Sequence, residues 1–415
     1  MRDRIISLGL GWLLLGSLMF SATAAWGERF DNNTGPREVQ GEVVPSERDE
    51  QVALFNYYFW DRDLTYETRL EELAGEASVP DWRIPYSAAI HPQTSGGLSS
   101  VAGARTAGLL AARRQGLPRG SAGSSPLVVY DRAFNGGQDL AHAHELHRLM
   151  GTSRALLPAR RIRTGSESWE GYCSGFTAST IRHPEPIRAV DAGRVGGTPG
   201  VVFQPSDIKA LLSCIYNRTT PDSYLLLAPP SASDGGPNMG TFHLALGNYI
   251  GQAGHPIGID RTRGRQAWNN PIYAYRVDSL EDAGSHGNYR FKDVRTTITY
   301  SGYGNDTTRQ TSTERLAVVG NQRQSMTLRY RLALDAEGHI VGGRALSSAG
   351  HFLWIPLYPV QATRDGVVRG NPYVDVRRVI DLARASALPE IQEEFDQATI
   401  GPRVDPAVDP DQPDS

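Results

Sequence analysis

Residues 169–181 read WEGYCSGFTASTI and carry a cysteine, Cys173, between a polar run and residues that can continue as a helix. The helix is expected to end at His183-Pro184, because proline disfavours the helical conformation in the residue before it. A cysteine at the start of a helix faces unpaired backbone N–H groups and the positive end of the helix dipole, which stabilise a thiolate. The stretch therefore predicts a nucleophilic Cys173 with a lowered pKa.

The aromatic residues just before Cys173 extend the predicted site. Trp169 and Tyr172 are expected to supply an N–H, an O–H or apolar walls, and so to bind the oxyanion or the substrate. The spacing Gly171-x-Cys173-x-Gly175 also imitates the nucleophile elbow of α/β-hydrolases. That elbow needs a buried strand before it, and the polar residues that precede Cys173 disfavour this interpretation.

A histidine and an aspartate downstream fit the same chemistry. Residues 241–248 (TFHLALGN) and 256–260 (PIGID) alternate in a way that predicts the two strands of a hairpin. In that register His243 lies opposite Asp260 on a face of small residues, and the aliphatic side chains occupy the other face. We therefore expect a Cys173-His243-Asp260 triad, in which the imidazole moves the thiol proton and the carboxylate orients the imidazole.

The second cysteine leaves an alternative open. The start of the chain, with an apolar run over 5–20 followed by Ala22-Thr23-Ala24, predicts a signal peptide at 1–24 and export to the periplasm or the extracellular space. In an oxidising compartment Cys173 could pair with Cys214, and the protein would then be an inactive, disulfide-bridged binding module. Cys214 borders an apolar stripe at helical spacing within 206–216, which favours a buried, inert thiol instead.

Composition excludes several classes of protein. The 415 residues include 42 basic and 45 acidic side chains, a net charge of −3, so no nucleic-acid partner is expected. No later segment is long enough to span a membrane, so no stable membrane insertion is expected after signal cleavage. Histidine and cysteine spacings predict no metal site and no cofactor. Calcium stays an open alternative, because acidic turns such as the one at Asp335 occur both as calcium sites and as solvated loops.

The chain divides by pattern into five segments. Strict alternation over 294–300 and 326–334 predicts antiparallel strands, and a helix is expected over 375–387. The predicted segments are a signal peptide (1–24), a flexible lead-in (25–50), a mostly helical N-terminal region (51–165), a catalytic domain (166–388) and an acidic, disordered tail (389–415). The aromatic density of the N-terminal region suggests a pro-segment that covers the site.

Four motifs together resemble the transglutaminase elicitor family. They are WEGYC (169–173), VFQPSDIKALLSCIY (202–216), GTFHLAL (240–246) and GIDRTRGRQAWNNPIYAYRV (258–277). The resemblance implies an α+β fold with a papain/transglutaminase-like cysteine core, in which a helix bearing the nucleophile packs on an antiparallel sheet. It also implies that Cys173, His243 and Asp260 are the catalytic triad.

The function that the resemblance implies is acyl transfer. A secreted protein-glutamine γ-glutamyltransferase would form a thioester between Cys173 and a protein-bound glutamine, then pass the acyl group to a lysine amine or to water. Its partners would be glutamine- and lysine-bearing proteins. Two alternatives stay open: a secreted thiol peptidase or amidase with the same triad, and the bridged binding module.

Overall fold

A computed structural model describes the chain over the ranges that follow. They are residues 38–39, 42–43, 48–59, 62–93, 97–99, 124–150, 171–217, 223–228, 236–262, 266–304 and 323–398. The predicted signal peptide, most of the lead-in and the boundary at 165/166 lie outside these residues. Within them, no helix is both long and apolar enough to cross a membrane.

Helices and antiparallel strands both contribute to the fold. The helices are α1 (Arg48–Tyr58), α2 (Pro126–Phe134), α3 (Ala141–Met150), α4 (Cys173–Arg182), α5 (Pro205–Tyr216), α6 (Met239–Ala245), α7 (Val376–Ser386) and α8 (Pro389–Gln397). The strands are β1 (Glu38–Val39), β2 (Glu42–Val43), β3 (Glu76–Ser78), β4 (Val190–Asp191), β5 (Val202–Phe203), β6 (Tyr224–Ala228), β7 (Ile257–Asp260), β8 (Asn269–His286), β9 (Tyr289–Ser301), β10 (Arg323–Leu334), β11 (Ile340–Ala345) and β12 (Phe352–Pro356).

The main sheet has eight strands in the order β11-β10-β9-β8-β7-β12-β6, with β3 also paired to β8. All of these pairings are antiparallel. The alternation predicted for β9 and β10 is confirmed, since Val294, Thr296 and Ile298 are buried and pair with Tyr330, Leu328 and Met326. The order brings β12 beside β7, although about ninety residues of chain separate the two strands.

The predicted helix at Cys173 is confirmed as α4, which packs closely on α5. A Cβ placed on Gly175 would lie 1.9 Å from the backbone oxygen of Ser213, so only glycine allows the helices to approach this closely. Gly171 is similarly tight, because its Cβ would lie 2.7 Å from the Ile90 oxygen. The two glycines flanking Cys173 are therefore explained by packing rather than by a nucleophile elbow.

Replacing Gly175 by alanine is expected to lower the free energy of unfolding by about 3 kcal/mol, because the new methyl group collides with backbone and forces α4 away from α5. Urea denaturation measures the change. Gly75→Ala is the matched control, since a Cβ there meets nothing within 4 Å and should change stability by no more than about 0.5 kcal/mol. Equal stability of the two variants would contradict this account of the helix contact.

The predicted hairpin of residues 241–248 and 256–260 is half wrong. Residues 257–260 form β7, but Met239–Ala245 form α6, and the chain continues as a π-helix over Leu246–Gln252. Asn238 caps α6 by accepting hydrogen bonds from the Gly240 and Thr241 backbone N–H groups. All residues of α6 are buried, so the helix has no polar face and its sequence shows no apolar stripe at helical spacing. In so short a segment, the remaining pattern resembles the alternation of a β-strand.

Two segment predictions also need correction. The tail predicted as disordered forms α8 over its first nine residues, where the Phe395 ring lies 5.4 Å from that of Trp82 and Arg384 pairs with Asp396. The buried Phe395 side chain therefore anchors α8, which is otherwise rich in acidic residues. The N-terminal region is less separate than predicted, because β3 joins the main sheet and Phe55 is fully buried in the principal core.

Candidate active site

Cys173 occupies the first position of α4, facing the start of β8. The backbone N–H of the preceding Tyr172 donates to Ile90 O at 2.7 Å, which holds the helix start in place. The Cys173 side chain is buried, and its thiol donates to the backbone oxygen of Ala267 at 3.4 Å. The Asn269 side-chain amide donates to the same sulfur at 3.8 Å. The thiol is thus enclosed between a helix N-terminus and the loop that leads into β8.

Burial raises the pKa of Cys173 above its ordinary value, so the lowered pKa expected from sequence is wrong for this structure. The backbone and side-chain N–H groups of Asn269 and the backbone N–H of Ser174 act in the opposite direction, because they stabilise the thiolate. The negative charge of Asp260 raises the pKa further. Desolvation of the sulfur therefore outweighs the donors that point at it.

Asp260 ends β7 and connects two parts of the site. Its Oδ1 accepts hydrogen bonds from the Trp268 backbone N–H at 2.8 Å and from the Thr262 backbone N–H at 3.2 Å, which shapes the loop beside Cys173. Its Oδ2 lies 3.3 Å from His351 Nδ1, and the His351 backbone N–H donates to Asp260 O at 2.8 Å. The aspartate therefore orients His351, whose side chain is 27% exposed, while being only 1% exposed itself.

His351 occupies the position beside Asp260 that the sequence analysis assigned to His243. It immediately precedes β12, whose first residue Phe352 pairs with Asp260 across the sheet. Gly350 allows the chain before His351 to pass close to Asp260. Its φ of +78° favours glycine, and a Cβ there would lie only 2.7 Å from Asp260 O. Sequence reasoning missed His351 because nothing local indicates that β12 pairs with β7.

His243 lies in a different environment, inside α6. Its Nδ1 is 2.6 Å from the Tyr330 hydroxyl on β10, which in turn lies 2.7 Å from Thr296 Oγ1 on β9. Burial lowers the pKa of His243 to about 4. Among the described residues its hydrogen-bond partner is Tyr330, and Asp260 pairs with His351 instead. The structure therefore does not assemble the predicted Cys173-His243-Asp260 arrangement.

The depressed pKa of His243 makes stability depend on pH. The unfolded chain, with an ordinary histidine pKa of 6.5, binds a proton that the folded protein excludes until about pH 4. Stability is therefore lost as pH falls through this window, by about 2 kcal/mol from this residue at pH 5. Urea denaturation at pH 7 and pH 5 should show a loss smaller by that amount in His243→Asn than in wild type. An equal loss in both proteins would show that His243 titrates normally when folded.

The aromatic residues predicted to bind the oxyanion or substrate behave differently from expectation. The Tyr172 hydroxyl donates to Glu145 Oε1 at 2.8 Å, and Arg148 pairs with the same carboxylate. Tyr172 therefore anchors the helix start to α3 and does not direct its hydroxyl at Cys173. Trp169 lies outside the described residues. Among the described residues, the hydrogen-bond partners of the thiol include the Ala267 backbone oxygen and the Asn269 side chain, which the sequence analysis did not single out.

Both cysteines are free thiols. Cys214 is buried in α5 within the second core cluster, and burial raises its pKa well beyond the ordinary value. The bridge that defined the binding-module alternative is therefore absent between these two described residues. Nor do the described residues bring three or more histidine, cysteine or acidic side chains together in a group able to hold a metal ion.

A cysteine at a helix N-terminus, beside an aspartate–histidine pair on an antiparallel sheet, is an arrangement suited to thiol acyl transfer. Residues 231–386 match the model of the transglutaminase elicitor family. The crystal structure of the GP42 transglutaminase from Phytophthora sojae matches with a TM-score of 0.58 at 18% identity, covering 81% of this chain and 98% of that one. No curated protein matches the sequence.

The resemblance to the transglutaminase elicitor family is thereby confirmed over residues 231–386. Its sequence match contains Asp260 and His351, whereas Cys173 lies before the matched range. At 18% identity, the structural match shows a shared mixed helix and antiparallel-sheet fold.

Proposed function

We propose that the protein is a secreted protein-glutamine γ-glutamyltransferase that uses Cys173 as its nucleophile, Asp260 as the orienting carboxylate and His351 as the general acid and base. The observation that carries the proposal is the contact of Asp260 with His351 Nδ1 at 3.3 Å. The same carboxylate accepts the Trp268 backbone N–H, and the preceding residue, Ala267, accepts the Cys173 thiol through its backbone oxygen. We thus assign to His351 the acid–base role that the sequence analysis predicted for His243.

The reaction begins when the Cys173 proton moves to His351 and the sulfur attacks the γ-carboxamide carbon of a glutamine side chain. With Nδ1 held by Asp260, Nε2 is the ring nitrogen available for proton transfer. Collapse of the tetrahedral intermediate breaks the C–N bond, and the imidazolium protonates the departing ammonia. The products of this half-reaction are a Cys173 thioester and free ammonia.

In the second half-reaction a lysine amine attacks the thioester carbon, and His351 removes the proton from the amine. The C–S bond breaks, the thiol is restored and an isopeptide bond joins the two proteins. When water replaces the amine, the product is glutamate. The partly exposed His351 side chain fits this role, because the acyl acceptor must approach the histidine from solvent.

In the resting structure the thiol donates to Ala267 O, and productive attack requires that it release this bond. Hydrogen bonds among catalytic groups are commonly long before substrate binds and tighten in the substrate complex. Asp260 also accepts the backbone N–H of Trp268, the residue after Ala267, so the same carboxylate holds the chain beside the thiol and the histidine.

The test is a single assay with three readouts on the purified protein: incorporation of a fluorescent amine into a glutamine-rich protein, release of ammonia, and appearance of new N-termini. Amine incorporation with ammonia release supports the transferase. Ammonia release without incorporation supports a deamidase, and new N-termini support the thiol peptidase that shares this chemistry. Absence of all three, with and without calcium and after limited proteolysis, would overturn the proposal.

A further inference from the structure

The side-chain amide of Asn269 lies between Cys173 and Trp354. Its nitrogen is 3.8 Å from Cys173 Sγ, and its oxygen accepts a hydrogen bond from Trp354 Nε1 at 2.9 Å. Asn269 and Trp354 are 5% and 7% exposed, so water competes little for these contacts. The Tyr303 hydroxyl also donates to the backbone oxygen of Asn269 at 2.8 Å, which fixes the residue at its main chain.

The indole determines which way the amide points. An amide can be turned over with almost no change of shape, which exchanges its donor and acceptor ends. The indole N–H can only donate, so the end that faces Trp354 must be the oxygen. The NH2 end must then face Cys173. Without the indole N–H, nothing in these contacts forbids the reversed orientation, which would place an acceptor against the sulfur.

Gly258 on β7 provides the space that the indole occupies. A Cβ on Gly258 would lie 2.6 Å from Trp354 Nε1, closer than side chains tolerate. The two residues are paired across β7 and β12, and Tyr224 packs edge-on against the indole at 6.2 Å. The position of the indole N–H is therefore set by the sheet itself rather than by a flexible loop.

We propose that Trp354 is a positioning residue that holds the Asn269 amide with its NH2 group toward Cys173, so that the amide donates to the thiolate form of the nucleophile. The inference rests on the proposed function in taking Cys173 as the nucleophile. The negative charge of Asp260 also acts on the sulfur and disfavours the thiolate. Donors such as the Asn269 amide are therefore needed to generate the reactive form near neutral pH.

The experiment measures the rate of alkylation of Cys173 by iodoacetamide as a function of pH, with the modified peptide quantified by mass spectrometry. Only the thiolate reacts, so the midpoint reports the pKa of the thiol. Trp354→Phe removes the donor, and the midpoint is expected to rise by about one pH unit, the size expected for one hydrogen bond to a charged group. Trp82→Phe is the matched control, because it removes an indole that packs on Phe395 of α8, and its midpoint should equal that of wild type.

Two further variants keep the proposal testable if Trp354→Phe does not fold. Gly258→Ala retains the indole but displaces its N–H, and the midpoint should rise in the same direction. Asn269→Asp replaces the donor with an acceptor of equal shape and should give the largest rise. A midpoint unchanged in a folded Trp354→Phe or Gly258→Ala protein would overturn the proposal.

Alkylation does not require acyl transfer, so this result is independent of the transferase assay. A shifted midpoint in a protein without amine incorporation would retain the positioning role and reject the proposed function. An unshifted midpoint in a protein that incorporates amine would reject the positioning role and retain the proposed function.

Discussion

Replacing Cys173 by alanine is expected to reduce amine incorporation and ammonia release by at least ~10³-fold, to the background of the assay, because the proposed thioester forms on its sulfur. The substitution removes one sulfur atom from a buried site and leaves α4 intact, so the variant should fold. Circular dichroism and thermal melting check the fold beside the activity measurement.

Cys214→Ala is the matched control for this prediction. Cys214 is the other buried free thiol, but it lies in the core cluster around α5. Its loss should leave a small cavity and a lower melting temperature, with turnover by the folded protein close to that of wild type. Retained activity in folded Cys173→Ala would remove the proposed nucleophile, and loss of activity only in folded Cys214→Ala would point to the other thiol.

The second large effect is expected at His351. Its replacement by alanine removes the group that moves protons to and from sulfur, ammonia and amine, and should lower the rate of amine incorporation by about 10³-fold. The initial rate at saturating glutamine substrate is the appropriate measurement, because the histidine acts on the chemical steps.

His243→Asn is the control that separates the two histidines. His243 bonds Tyr330 inside the core, so its asparagine variant should retain most of its activity at pH 7 while changing stability. The opposite result, an inactive His243→Asn protein beside an active His351→Ala protein, would favour the triad expected from the sequence. Activity lost in both would require that α6 also shape the site.

The distinction matters because both histidines lie within the region matched by the transglutaminase elicitor family. Sequence similarity alone therefore supports either assignment. The environment separates them: His351 is partly exposed and bonded to a carboxylate, whereas His243 is buried, neutral and bonded to a phenol. A proton-transfer residue needs access from solvent and a partner that orients its ring, and of these two histidines His351 has both.

Local sequence determined the parts of this protein whose structure depends on neighbouring residues. The helix beginning at Cys173 follows from the residues around it, and the alternation in β9 and β10 follows from one buried and one less buried face of each strand. These features could be predicted because about ten consecutive residues are enough to show each periodicity. The buried α6 carries no such periodicity, and its mistaken prediction as a strand is what placed His243 opposite Asp260.

The tertiary structure decided the composition of the site. Asp260 meets His351 because β12 inserts between β7 and β6, a pairing across about ninety residues that no local pattern encodes. The pKa of Cys173 was decided in the same way: the helix start predicted a stabilised thiolate, but burial of the sulfur in the folded protein raises its pKa. Periodicity and helix ends are local properties of a chain, whereas strand neighbours and desolvation depend on what the rest of the chain places against them.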